Sequence, residues 1–210
     1  ALNPLDESFI IDATFGNGGY SLALLNKAKC SVIAFDRDPD AILRGEKLSS
    51  DYKDRFTLYK NCFSNIRSVL KNTPFSQVDG MVFDLGVCST QFNEAERGFS
   101  FNLNGPLDMR MSKSGITAEK IVNDFDEQTL SKIIWEFGEE KASRKIAKAI
   151  IKNRKIKSIK TTFDLKNIVH SVKPKPAYGK IDSATKTFQA LRIYINDEIE
   201  ELKKAILDSE

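Results

Sequence analysis

Residues 8–84 alternate short apolar runs with amphipathic segments, and three of these runs lead into an aspartate. The runs are Phe9–Ile11 before Asp12, Ser31–Phe35 before Asp36, Arg55–Tyr59, and Val78–Leu85 around Asp84. Helical spacing fills the intervals at 19–28, 39–50 and 64–72. Because parallel strands need such crossovers, the alternation predicts an α/β fold with helices flanking a parallel sheet. Ligands bind at the carboxyl edge of such sheets, so the aspartates mark a candidate site.

The rest of the chain does not show this alternation of strand-like and helical segments. Residues 85–115 are rich in Gly, Asn and Ser, which predicts a long functional loop. Residues 117–172 are typical of helices alone, at 126–137, 139–153 and 162–172, with Thr161 or Thr162 as N-cap of the last. A final helix is expected over 183–207. The chain lacks an initiator Met and stops on a helix after four strands, so we expect a fragment of a longer protein.

Basic residues concentrate in residues 141–180, which hold 13 Lys and Arg against one acid, Asp164. The other residues hold 19 Lys and Arg against 28 Asp and Glu, so the net charge of +3 hides a strong asymmetry. A basic stripe follows helical steps beside the apolar residues Ala142, Ile146 and Ile150. Such a stripe is either a solvated helix face or a surface that binds nucleic acid. The excess of basic residues continues beyond the stripe, which favours binding of nucleic acid. Its members are Lys141, Arg144, Lys145, Lys148, Lys152 and Lys155.

Several classes of protein are excluded by pattern. No stretch approaches the ~18 apolar residues of a membrane span, and the N-terminus lacks the pattern of a signal peptide. Three scattered cysteines and one histidine do not form a disulfide framework or a zinc site. We therefore expect a soluble, cytoplasmic protein with no metal and no membrane partner.

The segment DATFGNGGYS follows the first predicted strand and opens a helix, as a ligand-binding glycine loop does. Its G-x-G-G spacing lacks the pattern of dinucleotide binders and the Walker lysine. Asp36 lies 18 residues beyond Gly18, where a carboxylate can accept both ribose hydroxyls of an adenosine. The alternatives are a simple strand–helix turn and an N-cap role for Asp36, although Asp38 is better placed to cap. Together the features favour S-adenosylmethionine (SAM) over NAD or ATP.

Residues 84–111, DLGVCSTQFNEAERGFSFNLNGPLDMRM, resemble the signature of the RsmH (MraW) family of ribosomal RNA small subunit methyltransferases. The segments at 12–21, 35–42, 136–150 and 184–202 resemble the same family in the same order, so the resemblance covers nearly the whole chain. It implies a Rossmann-like class I SAM-dependent methyltransferase sheet with an inserted all-helical domain. The implied activity is methylation of N4 of a cytidine in small-subunit (16S) rRNA, free or in the assembled small ribosomal subunit.

The resemblance also implies domain bounds and site residues. The methyltransferase domain would occupy 1–112, the helical RNA-binding insert 113–182, and a return helix 183–210, with the C-terminal strands missing. The cofactor contacts would include Phe63 beside the adenine, although a core role for this ring is the alternative. The chain departs from the family at Tyr20 and Asp182, where histidine is usual. The implied SAM contacts are Gly18, Gly19, Tyr20, Asp36, Phe63, Asp84 and Gln91.

Two carboxylates are candidates for the group that accepts the N4 hydrogens: Asp84, at a strand end, and Asp108. The alternative for Asp108 is a pair with Arg110 or Arg97. Phe99 or Phe101 could receive the cytidine, or could anchor the loop to the core.

Cys88 leaves a rival chemistry open, because cytosine C5 methyltransferases attack the ring with a thiolate. The sequence places no base near Cys88, and Val87 stands where those enzymes commonly have proline. A second rival is a fragment that binds RNA without catalysing. A DNA amino-methyltransferase is disfavoured because DLGV replaces the D-P-P-Y motif. His170 is expected on a helix surface.

Overall fold

The structure is a computed structural model that describes residues 2–73, 77–174 and 181–208. Its sheet has the order β3-β2-β1-β4, and every pairing is parallel. The strands are β1 Phe9–Asp12, β2 Ser31–Asp36, β3 Phe56–Lys60 and β4 Gly80–Val82. All four residues of β1 are buried, as expected for a central strand with both faces covered. The predicted α/β Rossmann-like fold class is confirmed.

Helices connect and cover the strands. Two 3-10 turns, Phe63–Asn65 and Ala95–Arg97, lie among them. The helices are α1 Gly19–Lys27, α2 Pro39–Asp51, α3 Ile66–Leu70, α4 Ser89–Asn93, α5 Ala118–Asp124, α6 Glu127–Gly138, α7 Ser143–Arg154, α8 Thr162–Val172, α9 Thr185–Ile195 and α10 Glu198–Asp208.

Two apolar cores cover the two faces of the sheet. Alternate residues of a strand point to opposite faces, so Ile10 packs with Phe15 and Leu24 on one side. Phe9 and Ile11 pack with their own cluster on the other side. Both cores lie beneath the carboxyl edge of the sheet and fix the loops that leave it.

The chain divides into two compact units, Ala1–Cys88 with Glu198–Glu210, and Ser89–Asp197. We call them the sheet unit and the helical unit. Residues 103–107 bond within the helical unit: the Thr162 N–H donates to the Gly105 carbonyl, and the Leu107 N–H donates to that of Lys160. The units therefore divide at 88/89 and 197/198, while the implied domain bounds at 112/113 and 182/183 stay a prediction.

Several helix bounds differ from the sequence expectation. The helix expected over 183–207 is two helices, because Asp197 takes a left-handed φ of 51°. The helix expected from 139 begins at Ser143, since Glu139 is also left-handed and the Glu140 carboxylate accepts the Ala142 N–H. The loop expected over 85–115 contains α4 and a 3-10 turn.

Other local expectations are confirmed. Thr161 caps α8 in a reciprocal capping box with Asp164. Among the residues described, no helix has the length and apolarity that a membrane span requires.

Candidate functional site

Asp12 ties together the two ends of the loop after β1. Its fully buried carboxylate accepts hydrogen bonds from the Ser21 hydroxyl at 2.7 Å and the Thr14 N–H at 3.2 Å. Burial raises the pKa of Asp12, which the two hydrogen bonds partly oppose. The sequence marked Asp12 as a strand-end acid but did not predict this role, which depends on Ser21 in the next helix.

The glycine loop turns where a side chain would not fit. Gly18 precedes α1 with a φ of 77°, and a β-carbon there would lie 2.8 Å from the Phe15 ring. A β-carbon on Gly19 would meet no atom within 4 Å, so the first turn of α1 faces open space. Backbone N–H groups at the start of a helix can donate to a ligand in that space.

Asp36 ends β2 and holds the glycine loop. Its Oδ2 accepts the Gly16 N–H and its Oδ1 accepts the Asp38 N–H, both at 2.8 Å. Burial raises the pKa of Asp36, and the nearby Arg44 acts in the opposite direction. Each carboxylate oxygen still has a second lone pair for a ribose hydroxyl. Asp38, not Asp36, caps α2 through the Asp40 N–H.

Phe63 begins the 3-10 turn after β3. Its half-buried ring packs edge-on against Phe83, with 5.8 Å between the ring centroids. The preceding Cys62 Sγ lies 2.8 Å from the Arg37 guanidinium, which is also 3.7 Å from Glu201 on α10. Phe63 therefore belongs to the edge of the core, as the alternative held, and keeps part of its ring accessible.

Asp84 lies two residues beyond β4 with an exposed side chain. Its backbone N–H donates to the Thr14 hydroxyl at 2.8 Å, which ties the segment after β4 to the loop after β1. Tyr20 is half exposed on the first turn of α1. The Cys88 Sγ lies 4.0 Å from the Arg44 guanidinium. The carboxyl edge thus carries Asp12, Asp36 and Asp84.

Asp108 and Gln91 lie in the helical unit. The Arg110 guanidinium grips both Asp108 oxygens, at 2.9 and 2.7 Å. Burial alone would raise the pKa of Asp108, but the bonds from Arg110 outweigh it and lower the pKa. The structure therefore favours the paired alternative for Asp108. Gln91 is buried on α4.

The two phenylalanines proposed to receive a cytidine pack within the helical unit. Phe99 is buried beneath the Arg97 guanidinium, which lies 5.7 Å from the ring centroid. Phe101 packs edge-on against Phe188 at 5.3 Å between centroids, with the Lys166 ammonium at 5.5 Å. These contacts favour the anchoring alternative.

The predicted basic stripe is largely a face of α7. Ile146, Ala147 and Ile150 are buried on the inner side of this helix. Lys141 and Lys155 are exceptions, because Lys141 lies before the first residue of α7 and Lys155 is the C-cap that follows its last residue. Side chains that are exposed and make no hydrogen bond or ion pair within residues 2–73, 77–174 and 181–208 are those of Lys141, Arg144, Lys145, Lys148, Lys152 and Lys155.

The expectation for His170 is wrong. Its ring is largely buried, and Nε2 lies 2.8 Å from Oδ1 of Asp182. The partner is 12 residues away, across a segment with no regular pattern, so helical spacing could not reveal it. Asp182 also accepts the Ala184 N–H at 2.8 Å and so helps to start α9.

The sheet unit has the donors and acceptors that an adenosine-containing cofactor needs. Open space at Gly19 adjoins helix N–H groups, Asp36 keeps free lone pairs, and Phe63 has an accessible ring. No group of three His, Cys, Asp or Glu side chains suited to a metal occurs in the part of the chain that the structure describes.

Comparisons with known proteins agree with this geometry. The model of the MraW methylase family matches residues 1–209. The ribosomal RNA small subunit methyltransferase H of Rhodospirillum rubrum is 47% identical over 210 residues, which are 100% of this chain and 64% of that protein. Its namesake in Ehrlichia ruminantium is 48% identical over 207 residues, which are 98% of this chain and 69% of that protein.

Solved structures match more distantly. An rRNA methylase from Streptococcus thermophilus is 24% identical with a TM-score of 0.33, over 48% of this chain and 60% of that one.

Proposed function

The chain belongs to the MraW methylase family, and from this premise we propose that it takes part in SAM-dependent methylation of N4 of a cytidine in small-subunit (16S) rRNA. The chain spans 64% of the first relative, so the proposal concerns the activity of the longer protein. The observation that carries it is the hydrogen bond from the Gly16 N–H to the Asp36 carboxylate, which holds the glycine loop beside a carboxylate at the carboxyl edge of the sheet.

The sheet unit supplies most of the proposed cofactor contacts. Asp36 accepts the ribose hydroxyls, and Phe63 lies beside the adenine. Gly18, Gly19 and Tyr20 surround the open first turn of α1. Asp84 and Gln91 complete the set of cofactor contacts that the resemblance to the family implies.

SAM, when bound, supplies a methyl group on a sulfonium. The N4 lone pair of cytosine is delocalised into the ring and must be localised before it can attack. The exposed carboxylate of Asp84, at the carboxyl edge, would accept a hydrogen bond from the N4 amino group. It would take up that proton as the bond between N4 and the methyl group forms. Asp108 is the weaker candidate because Arg110 already occupies both of its oxygens.

The helical unit supplies the proposed RNA contact. The exposed face of α7, together with Lys141 and Lys155 next to its two ends, presents six cations that have no partner among the described residues and suit the phosphates of small-subunit rRNA. The substrate is this RNA, free or in the assembled subunit.

A second candidate is C5 methylation through Cys88. The observation behind it is the Arg44 guanidinium, which lies 4.0 Å from the Cys88 sulfur. Arg44 cannot serve as the base, however, because a guanidinium stays protonated.

Nucleoside mass spectrometry tests the proposal. The chain is incubated with SAM and small ribosomal subunits that lack the modification, and the RNA is then digested. N4-methylcytidine is the expected product, and C5-methylcytidine would replace the proposal with Cys88 chemistry. RNA binding without SAM binding, measured by calorimetry, would support the fragment that binds but does not catalyse.

A further inference from the structure

A cleft of about 270 Å³ lies at the C-terminal end of α7, against one face of α8. It is separate from the proposed cofactor contacts and lies wholly within the helical unit. The residues that matter to its chemistry are Asn153, Ile156, Lys157, Ile159, Asn167 and Ile168.

The walls of the cleft are held in place by the fold. The Ile156 and Lys157 N–H groups both donate to the Asn153 carbonyl, which closes the end of α7. Asn123 of α5 binds Ile159 twice, accepting its N–H at 3.0 Å and donating to its carbonyl at 2.8 Å. These hydrogen bonds fix the walls of the cleft, so little ordering opposes binding.

The lining is apolar below and polar at the edges. Ile159 and Ile168 are 2% and 8% exposed and form the floor, while Ile156 is 80% exposed at the rim. The exposed Asn167 amide makes no hydrogen bond within the residues described. The Asn153 amide donates to the Ala149 carbonyl, which leaves its oxygen available. A planar nucleobase has the matching chemistry, with apolar faces and edges that donate and accept.

The surroundings attract a polyanion. Lys157 lines the cleft. Each of three further lysines is the sequence neighbour of a lining residue: Lys152, Lys155 and Lys160. Asp164 is the acid here, and its carboxylate accepts the Lys160 and Thr161 N–H groups and lies 3.8 Å from the Lys157 ammonium. Phosphates thus meet net positive charge beside a cleft that suits a base.

We propose that this cleft binds one unpaired nucleobase of the RNA whose backbone follows the basic face of α7. The inference rests on the RNA substrate of the proposed function and adds to it a contact that reads an unstacked base. Single-stranded segments are the part of an RNA whose base edges a protein can reach.

Fluorescence anisotropy with a short single-stranded RNA, repeated over a range of salt concentrations, tests the proposal on the full chain. The double variant Asn167→Ala with Ile156→Ala removes one amide and one apolar side chain but no charge. We expect affinity to fall by about fivefold to tenfold with an unchanged salt dependence, since the variant loses one hydrogen-bonding amide and one apolar contact but no charge. Lys148→Gln with Lys152→Gln should instead reduce the slope of log affinity against log salt by about 1.4.

An abasic version of the same strand separates base from backbone. Wild type and the cleft variant should bind it equally. The matched control, Gln128→Ala with Leu43→Ala, removes an exposed amide and an exposed apolar side chain elsewhere and should bind like wild type.

The outcomes distinguish the two proposals. The cleft proposal is wrong if the cleft variant binds RNA with wild-type affinity. It is also wrong if the variant loses as much affinity for the abasic strand as for the intact strand. If the lysine variant also leaves affinity and salt dependence unchanged, the RNA surface of α7 is wrong as well. Circular dichroism confirms folding, which the substitutions should preserve because Asn167 and Ile156 are exposed.

Discussion

At the scale of single residues, Asp36 does two things with one carboxylate. It holds the glycine loop through the Gly16 N–H and, in the proposed function, accepts ribose hydroxyls. Asp36→Asn turns one acceptor into a donor, which faces the donor N–H of either Gly16 or Asp38. We expect the Kd for SAM to rise about tenfold to a hundredfold, since a hydrogen bond to a charged group contributes about 1.5–3 kcal/mol. Calorimetry measures it, with the exposed Asp51→Asn as the control.

Substitution by asparagine also distinguishes the proposed catalytic role of Asp84 from the structural role of Asp108. We expect Asp84→Asn to lower the rate of methyl transfer at saturating SAM by about a hundredfold, because the proposed role concerns the N4 hydrogens and saturating SAM offsets the loss of the cofactor contact. Single-turnover methylation measures the rate. Asp108→Asn should instead lower the free energy of unfolding by about 1–3 kcal/mol through loss of the Arg110 pair. A full rate in Asp84→Asn would remove Asp84 from the chemistry.

At this scale the sequence predicted contacts between residues that are close along the chain and missed contacts between residues that are farther apart. Asp38 was identified as the cap of α2 because a cap and its N–H donor are local. The Asp12–Ser21 and His170–Asp182 contacts join residues 9 and 12 apart on different elements, and no spacing rule predicts them. The sequence identified Asp36 as a candidate carboxylate for the ribose hydroxyls, but it could not show that Asp36 also accepts the Gly16 N–H.

At the scale of elements, the break between α9 and α10 depends on Asn196. Its amide donates to the Met109 carbonyl and its oxygen accepts the Met111 N–H, each at 2.8 Å and in a largely buried position. These partners lie more than 80 residues away, so local pattern predicted one continuous helix. The left-handed Asp197 that follows turns the chain into α10.

Asn196→Ala should therefore be costly. It leaves the buried Met109 carbonyl and the partly buried Met111 N–H without this partner, so we expect the free energy of unfolding to fall by about 2–4 kcal/mol. Urea denaturation measures the loss. Asn72→Ala removes an exposed amide that bonds to the Ser68 carbonyl and should cost less than 1 kcal/mol, about the value of a surface substitution. Equal losses in the two variants would mean that Asn196 does not hold the segment around Met109.

At the scale of the whole molecule, the two units differ in how far the sequence could predict them. The sheet follows from apolar runs that are long enough to be buried on both faces, and its parallel order from the helices between them. The sequence predicted that the second unit consists of helices, but local patterns could not show at which residue this compact unit begins. Residues 89–112 belong to it because Gly105 and Leu107 bond to Thr162 and Lys160, contacts that exist only in the folded chain.

The same division predicts opposite responses of the two units to acid. In the helical unit, burial alone would raise the pKa of Glu140 and Asp182, but hydrogen bonds from Lys173, from the Ala184 N–H and from His170 outweigh it and lower both below their ordinary 4.5 and 3.8. Such groups contribute stability above their unfolded pKa, and that stability is lost as pH falls through the folded value. In the sheet unit, burial raises the pKa of Asp12 and Asp36, so acidification relieves their penalty instead.

We therefore expect the helical unit to lose structure first as pH falls from about 5 towards 2. Pulsed hydrogen exchange with mass spectrometry measures it: the chain is equilibrated at each pH, then labelled briefly at one common pH. Peptides from α6, α8 and α9 should lose protection before those from β1 and β2, because the carboxylates of lowered pKa stabilise the helical unit only while they are ionised, whereas protonation relieves the burial penalty of Asp12 and Asp36. Glu140→Gln with Asp182→Asn should flatten the dependence in the helical unit, at the cost of lower stability at pH 7. Loss of protection in β1 before α8 would contradict the assignment of the lowered pKa values.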